Sequence, residues 1–202
     1  MNLLKMEIKY EQGKTCKDDR LIQEERLKVD GHFSSYDSIH LTELINTLDN
    51  NDIIIEIGVF IGLSTILIHE TLDKNKNFKY CCVDNFSKKD RHKNPKEEFQ
   101  KNMTKFGIDV ITIIGDSADT STFYKDNSVG FVFIDADHSR NAVIKDIQVW
   151  IPKIKLNGFL CGHDRSCTDI ATRNVFKNNK NFKRIEKDIY KLDDCWYYQR
   201  IK

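Results

Sequence analysis

Residues 53–65 read IIIEIGVFIGLST. An apolar run meets an acid at Glu56, then two glycines, Gly58 and Gly62, then Ser64 and Thr65. The run falls short of the roughly 20 apolar residues a membrane span needs, and Glu56 interrupts it. The continuous run over 53–57 reads as a fully buried strand and 63–73 as a helix. Between them lies G-x-x-x-G, which is neither the dinucleotide fingerprint G-x-G-x-x-G nor the phosphate loop G-x-x-x-x-G-K-[ST]. No lysine follows to hold phosphates.

Outward from this turn the pattern alternates. A helix is expected over 36–48, with Ser34, Ser35 or Asp37 at its start. FKYCCVD (78–84) reads as a strand, and NPKEEFQKNMTKFG (94–107) as a helix closing at Gly107. DVITIIG (109–115) and SVGFVFIDAD (128–137) are strands. NAVIKDIQVWIPKI (141–154) puts Val143, Ile144, Ile147, Trp150 and Ile151 on one helical face. NGFLCGHD (157–164) is a strand and 168–179 a helix. FKRIEKDIY (182–190) and CWYYQRI (195–201) are final strands, read as antiparallel because KLDD (191–194) is so short a connection. Continuous apolar strands alternating with helices imply a parallel sheet covered on both faces. In such sheets ligands bind outside the carboxyl ends of the strands.

Those ends carry acids: Glu56, Asp84, Asp116 and Asp135, with Asp137 just beyond and His163–Asp164 ending the next strand. Glycines let a backbone approach a ligand closely. Glu56 disfavours a pyrophosphate and favours a cation, and a carboxylate at Asp84 suits two ribose hydroxyls. A ligand with a cationic amino-acid end, a ribose and no phosphate is S-adenosylmethionine.

The motifs carry a resemblance. IEIGVFIGLST, YCCVDNF, IIGDSAD and FVFIDADHSRNAVIKDIQVWIPKIKLNGFLCGHD resemble, in order, the motifs of class I S-adenosylmethionine-dependent methyltransferases. The last is similar to the small O-methyltransferases of the catechol and caffeoyl-coenzyme A type and their sugar- or macrolide-modifying relatives. The resemblance covers about residues 32–201. It implies a Rossmann-like α/β fold, a doubly wound seven-stranded sheet in order 3-2-1-4-5-7-6 with the last strand antiparallel. It divides the chain into an extension, 1–35, and a methyltransferase domain, 36–202. It places Glu56 and the Gly58 backbone at the methionine amino end of the cofactor, Asp84 on the ribose, and Asp116 and Ser117 near the adenine, with Gly62 and Ser64 as further cofactor-binding residues. Asp135 also lies against the cofactor, and in the segment before the first motif, HFSSYD (32–37), Ser34 or Ser35 is the match, with Ser35 taken as cofactor-binding.

The same resemblance implies a divalent metal, Mg²⁺ or Mn²⁺, on Asp135, His163 and Asp164. The relatives carry a carboxylate where this chain has His163, and imidazole moves preference from Mg²⁺ towards Mn²⁺, Fe²⁺ or Zn²⁺. Asp137 or His138 would take the acceptor proton. The expected partner is a small-molecule acceptor, with a homodimer as the assembly common among such relatives.

Composition is ordinary for a soluble globular chain. The chain has 202 residues, 40% hydrophobic and 31% charged, with net charge +1. That balance gives no argument for nucleic acid or a membrane surface. The six cysteines form no C-x-x-C and read as free thiols of a reducing compartment, the cytoplasm. The N-terminal MNLLKMEIKYEQGK is too polar for a signal peptide. Two other classes stay open. An NAD-dependent oxidoreductase lacks its fingerprint here. A catalytically silent cofactor-binding protein sits poorly with the retained Asp135, Asp137, His163 and Asp164.

Overall fold

The computed structural model describes residues 16–87, 92–185 and 194–202. Seven strands form one sheet in the order β3-β2-β1-β4-β5-β7-β6. They are β1 (Ile53–Ile57), β2 (Lys79–Asp84), β3 (Ile111–Ile114), β4 (Val129–Ile134), β5 (Ile154–Gly162), β6 (Phe182–Arg184) and β7 (Trp196–Arg200). β1 to β5 pair in parallel, and β7 runs antiparallel between β5 and β6. This is the topology expected from the motifs. β6 is shorter than the expected 182–190, of which 186–190 lies outside the described residues, as does most of KLDD.

The helices are α1 (Cys16–Leu27), α2 (Ser35–Ile45), α3 (Leu63–Thr71), α4 (Pro95–Phe106), α5 (Ser117–Ser121), α6 (Arg140–Trp150) and α7 (Arg165–Phe176). Strand pleating sorts side chains by parity. Ile54, Phe131 and Phe133 face the core layer shared with Leu41, Ile66 and Phe99. Ile55, Ile57 and Val132 face the layer shared with Ile147, Trp150 and Trp196. Leu27, Val29 and Phe33, which the sequence reading put in the extension, are buried in the first layer. Among the described residues no helix is long and apolar enough to cross a membrane.

α2 begins with a capping box. Ser34 Oγ accepts the Asp37 N–H and the Asp37 carboxylate accepts the Ser34 N–H, so two otherwise orphaned donors are met. Asp37 is wholly buried. α4 opens with Pro95 and closes on Gly107 at φ 64, the residues best suited to those two ends.

Candidate functional site

A cavity of about 700 Å³ opens at the carboxyl ends of β1, β2 and β4, a size that fits a small-molecule site. A shallower groove of about 880 Å³ lies between α1 and α4. It lacks the strand-end acids of Asp84 and Asp135, so the chemistry belongs to the first. Gly58, Ser64, Asp84, Asp116, Ser117 and Asp135 all line the first cavity, as do Asp137 and His138.

Gly58 has φ +84, and a Cβ there would lie 2.3 Å from the Asp135 carbonyl oxygen and 2.6 Å from Ala136 Cα. The β1 turn and the β4 end therefore touch backbone to backbone. Asp84 organises the same turn. Its Oδ2 accepts the N–H groups of Val59 and Phe60, each at 2.9 Å, and its Oδ1 accepts that of Phe86 at 2.7 Å. Phe60 and Phe86 hold left-handed backbones, φ 49 and 52, which non-glycine residues rarely adopt. The carboxylate thus fixes an otherwise unfavourable loop conformation while still reaching the cavity wall.

Glu56, expected at the methionine end of the cofactor, is not among the residues that line the cavity. It is fully buried and lies behind the wall, because pleat parity turns it towards α3. Its carboxylate accepts hydrogen bonds from Ser64 Oγ at 2.5 Å, Tyr80 Oη at 2.8 Å and Thr65 Oγ1 at 2.9 Å. Burial raises the Glu56 carboxyl to about 7, against the pull of those three hydroxyls. The sign follows from linkage: a carboxyl whose folded pKa lies above its unfolded value adds stability below pH 4.5 that is lost as pH rises through about 7. Glu56→Gln should remove this dependence. Between pH 4.5 and 8 the unfolding free energy of the variant relative to wild type should rise by about 3 kcal/mol. Urea titrations at both pH values test it, and a pH-independent difference would refute it.

Gly62 and Ser35, both expected at the cofactor, also lie outside the cavity lining. Gly62, at φ +95, has no place on the cavity wall; a Cβ there would meet Met103 Cε at 2.6 Å and the Phe99 ring at 3.1 Å. Its role is to let α4 pack on the turn. Ser35 gives its N–H and its hydroxyl to Asp19 of α1, at 2.6 and 2.9 Å. From this segment the cavity receives Asp30, Gly31, His32 and Phe33, of which His32 and Phe33 fall within the HFSSYD stretch expected to touch the cofactor.

At the β4 and β5 ends the acids gather with two imidazoles. Ligand atoms of Asp135, His138 and Asp164 lie within 4.8 Å of one another. His138 Nδ1 is 2.7 Å from Asp164 Oδ2 and its Nε2 is 3.3 Å from Asp135 Oδ1. Hydrogen bonding to Asp135, then to Asp164, raises His138 to about 9. His163 sits beneath, 2% exposed. Its Nδ1 is 3.5 Å from both Asp135 and Asp164, and its Nε2 is 3.5 Å from Asp37. Burial favours neutral His163, but Asp135, Asp164 and Asp37 outweigh it and raise it well above the usual range. Asp37 is held down to about 2: burial opposes this, and His163, Ser34 and the Asp194 N–H prevail. Asp164 itself takes a left-handed backbone, φ 52, as α7 begins. Asp137 accepts the Ser139 N–H at 2.8 Å, a brace for the loop into α6. At the other side Asp116 caps α5 by accepting the Ala118 N–H, and Ser117 Oγ accepts the Trp150 indole N–H at 3.0 Å.

The model of a methyltransferase-domain family matches residues 55–165, over half of the chain. The chain belongs to that family. Among curated proteins no sequence match is found. Solved structures share the methyltransferase fold at low identity. A candidate caffeoyl-CoA O-methyltransferase from Staphylococcus aureus is 14% identical, with 95% of this chain and 94% of that one covered and a TM-score of 0.63. A candidate O-methyltransferase from Klebsiella pneumoniae is 14% identical, with 96% and 93% covered and a TM-score of 0.62. An rRNA methylase from Streptococcus thermophilus is 12% identical, with 79% and 92% covered and a TM-score of 0.58. Membership of a methyltransferase family implies S-adenosylmethionine as the methyl donor.

Proposed function

We propose that this methyltransferase moves the methyl group of S-adenosylmethionine to a hydroxyl of a small molecule. One observation carries the reading: a single cavity brings the Asp84-braced glycine turn together with Asp135 and His138, whose ligand atoms lie within 4.8 Å of those of Asp164. The first part suits a ribose and an amino-acid end, and the second suits activation of an oxygen.

Methyl transfer from a sulfonium is an in-line displacement. The acceptor oxygen bonds to the methyl carbon as the sulfur–methyl bond breaks, and the hydroxyl proton must go elsewhere. The protein's part is mainly to position the two reactants. Gly58 and Ser64 take the methionine end, Asp84 the ribose hydroxyls, and Asp116 and Ser117 the adenine side. His138, with Asp137 beside it, takes the acceptor proton. The donor set fits a divalent cation: we assign it Asp135, Asp164 and His163, with His138 as a further nitrogen in reach. Such an ion would lower the pKa of the acceptor hydroxyl and offset the two carboxylates that keep His138 protonated. The acceptor's small size is part of the proposal, as is a reaction without nucleic acid or membrane.

Asp84→Ala tests the cofactor assignment. It leaves three backbone N–H groups and two ribose hydroxyls without their acceptor. Affinity for S-adenosylmethionine should fall by about 1–3 kcal/mol, measured by calorimetry, with transfer of a labelled methyl group falling in parallel. Unchanged affinity would remove the cavity from consideration as the cofactor site.

A further inference from the structure

One face of α6 lies on the cavity. Ala142, Lys145 and Asp146 follow i, i+3, i+4 spacing, so they share a side of the helix, and all three line the cavity. Val143, Ile147 and Trp150 are buried in the core layer. Lys145 is largely exposed, its ammonium 3.5 Å from Asp116. Asp146 differs: it is only 7% exposed. Among the described side chains, the Ser117 hydroxyl is the donor that favours its ionised form. That hydroxyl already accepts the Trp150 indole N–H, so a single O–H is all it can give. An ionised carboxylate offers about four acceptor sites. Burial pushes the Asp146 carboxyl above the usual carboxylate range, with Ser117 pulling the other way. Here is a buried acid on the cavity wall with acceptor capacity unspent.

A donor for that capacity can come from whatever fills the cavity beside Ser117. Adenine presents two N–H donors on its exocyclic amino group. Ala142, one turn before Asp146, keeps this helix face low enough for a flat ring. Asp116 is the less suitable reader, being half exposed and already engaged with the Ala118 N–H and Lys145. We propose that the Asp146 carboxylate accepts a hydrogen bond from the adenine amino group and so selects adenine over a 6-oxo purine. The inference rests on the assignment of S-adenosylmethionine to this cavity. A 6-oxo purine would turn an acceptor oxygen towards the carboxylate, which disfavours it.

The test is calorimetric binding of S-adenosylhomocysteine and of its inosine counterpart to wild type, D146N and D146A. Wild type should prefer the adenine ligand by about 10- to 100-fold. D146N keeps the shape of the side chain, and its amide can donate to a 6-oxo group. Its preference should shrink to within about threefold or reverse. D146A should lose discrimination without favouring the inosine ligand, and circular dichroism confirms that each variant is folded. Tight wild-type binding without discrimination, or full discrimination kept in D146N, overturns the role of Asp146 alone. Wild type binding neither nucleoside overturns it together with the cofactor assignment.

Discussion

Gly58→Ala is expected to cost about 2–5 kcal/mol of folding stability and to abolish cofactor binding in whatever fraction stays folded. Two effects add. An alanine at φ +84 adopts a left-handed backbone at a cost of about 1–2 kcal/mol. Its methyl carbon would also lie 2.3 Å from the Asp135 carbonyl oxygen, and overpacking of this kind adds about 1–3 kcal/mol. The obstacle is backbone, which cannot swing aside as a side chain can. Relief requires the β1 and β4 ends to part, yet the Asp135 N–H donates to the Ile57 carbonyl at 2.7 Å and holds them together. Thermal unfolding and cofactor titration measure both losses. A variant with an unchanged melting temperature would show that the β1–β4 junction is looser than described.

Asp135→Ala is expected to reduce methyl transfer by about 10³-fold or more, with cofactor affinity largely kept. Asp135 faces both imidazoles at once, 3.3 Å from His138 and 3.5 Å from His163. Removing it releases His138 from one of its two anchors and takes a carboxylate from the set assigned to a cation. A chelator should therefore silence wild type, and Mg²⁺ or Mn²⁺ should restore it. Full turnover in chelator-treated, metal-free protein would end the metal assignment and leave Asp137 or His138 to take the acceptor proton, His138 only once it has lost the proton that Asp135 and Asp164 hold on it. Normal turnover by Asp135→Ala would end the catalytic role of the cluster as well.

The strand ends were readable from sequence because the strands that form the cavity, β1, β2 and β4, are mostly apolar and stop at an acid or just before a glycine or an acid. That gave Gly58, Asp84 and Asp135 their places on the cavity wall. Sequence could not say what lies behind the wall. Glu56 falls one pleat away from the cavity, and only the packing of α3 shows that Ser64, Thr65 and Tyr80 claim its oxygens. Gly62 looked like a ligand-facing glycine until Met103 and Phe99 of α4 were seen filling the space. Helix residues were missed for a different reason. The polar side of an amphipathic helix reads as the solvent side, and α6 turns part of that side to the cavity, so Asp146 looked ordinary. Asp37 looked like a cap, which it is. Its second role depends on His163, 126 positions away, which no local pattern reveals.

The double use of Asp37 ties the order of folding to the assembly of the site. The same carboxylate that starts α2 accepts the N–H of Asp194, 157 positions along the chain, and the Cys195 thiol. During synthesis the first turn of α2 can form early, but Asp37 remains a buried acid in waiting until residue 194 arrives and β7 slides between β5 and β6. Closure over that span is among the slowest and most cooperative events available to a chain of this topology. The reaction centre, which leans on Asp37 through His163, is therefore complete only once the last strand is in place.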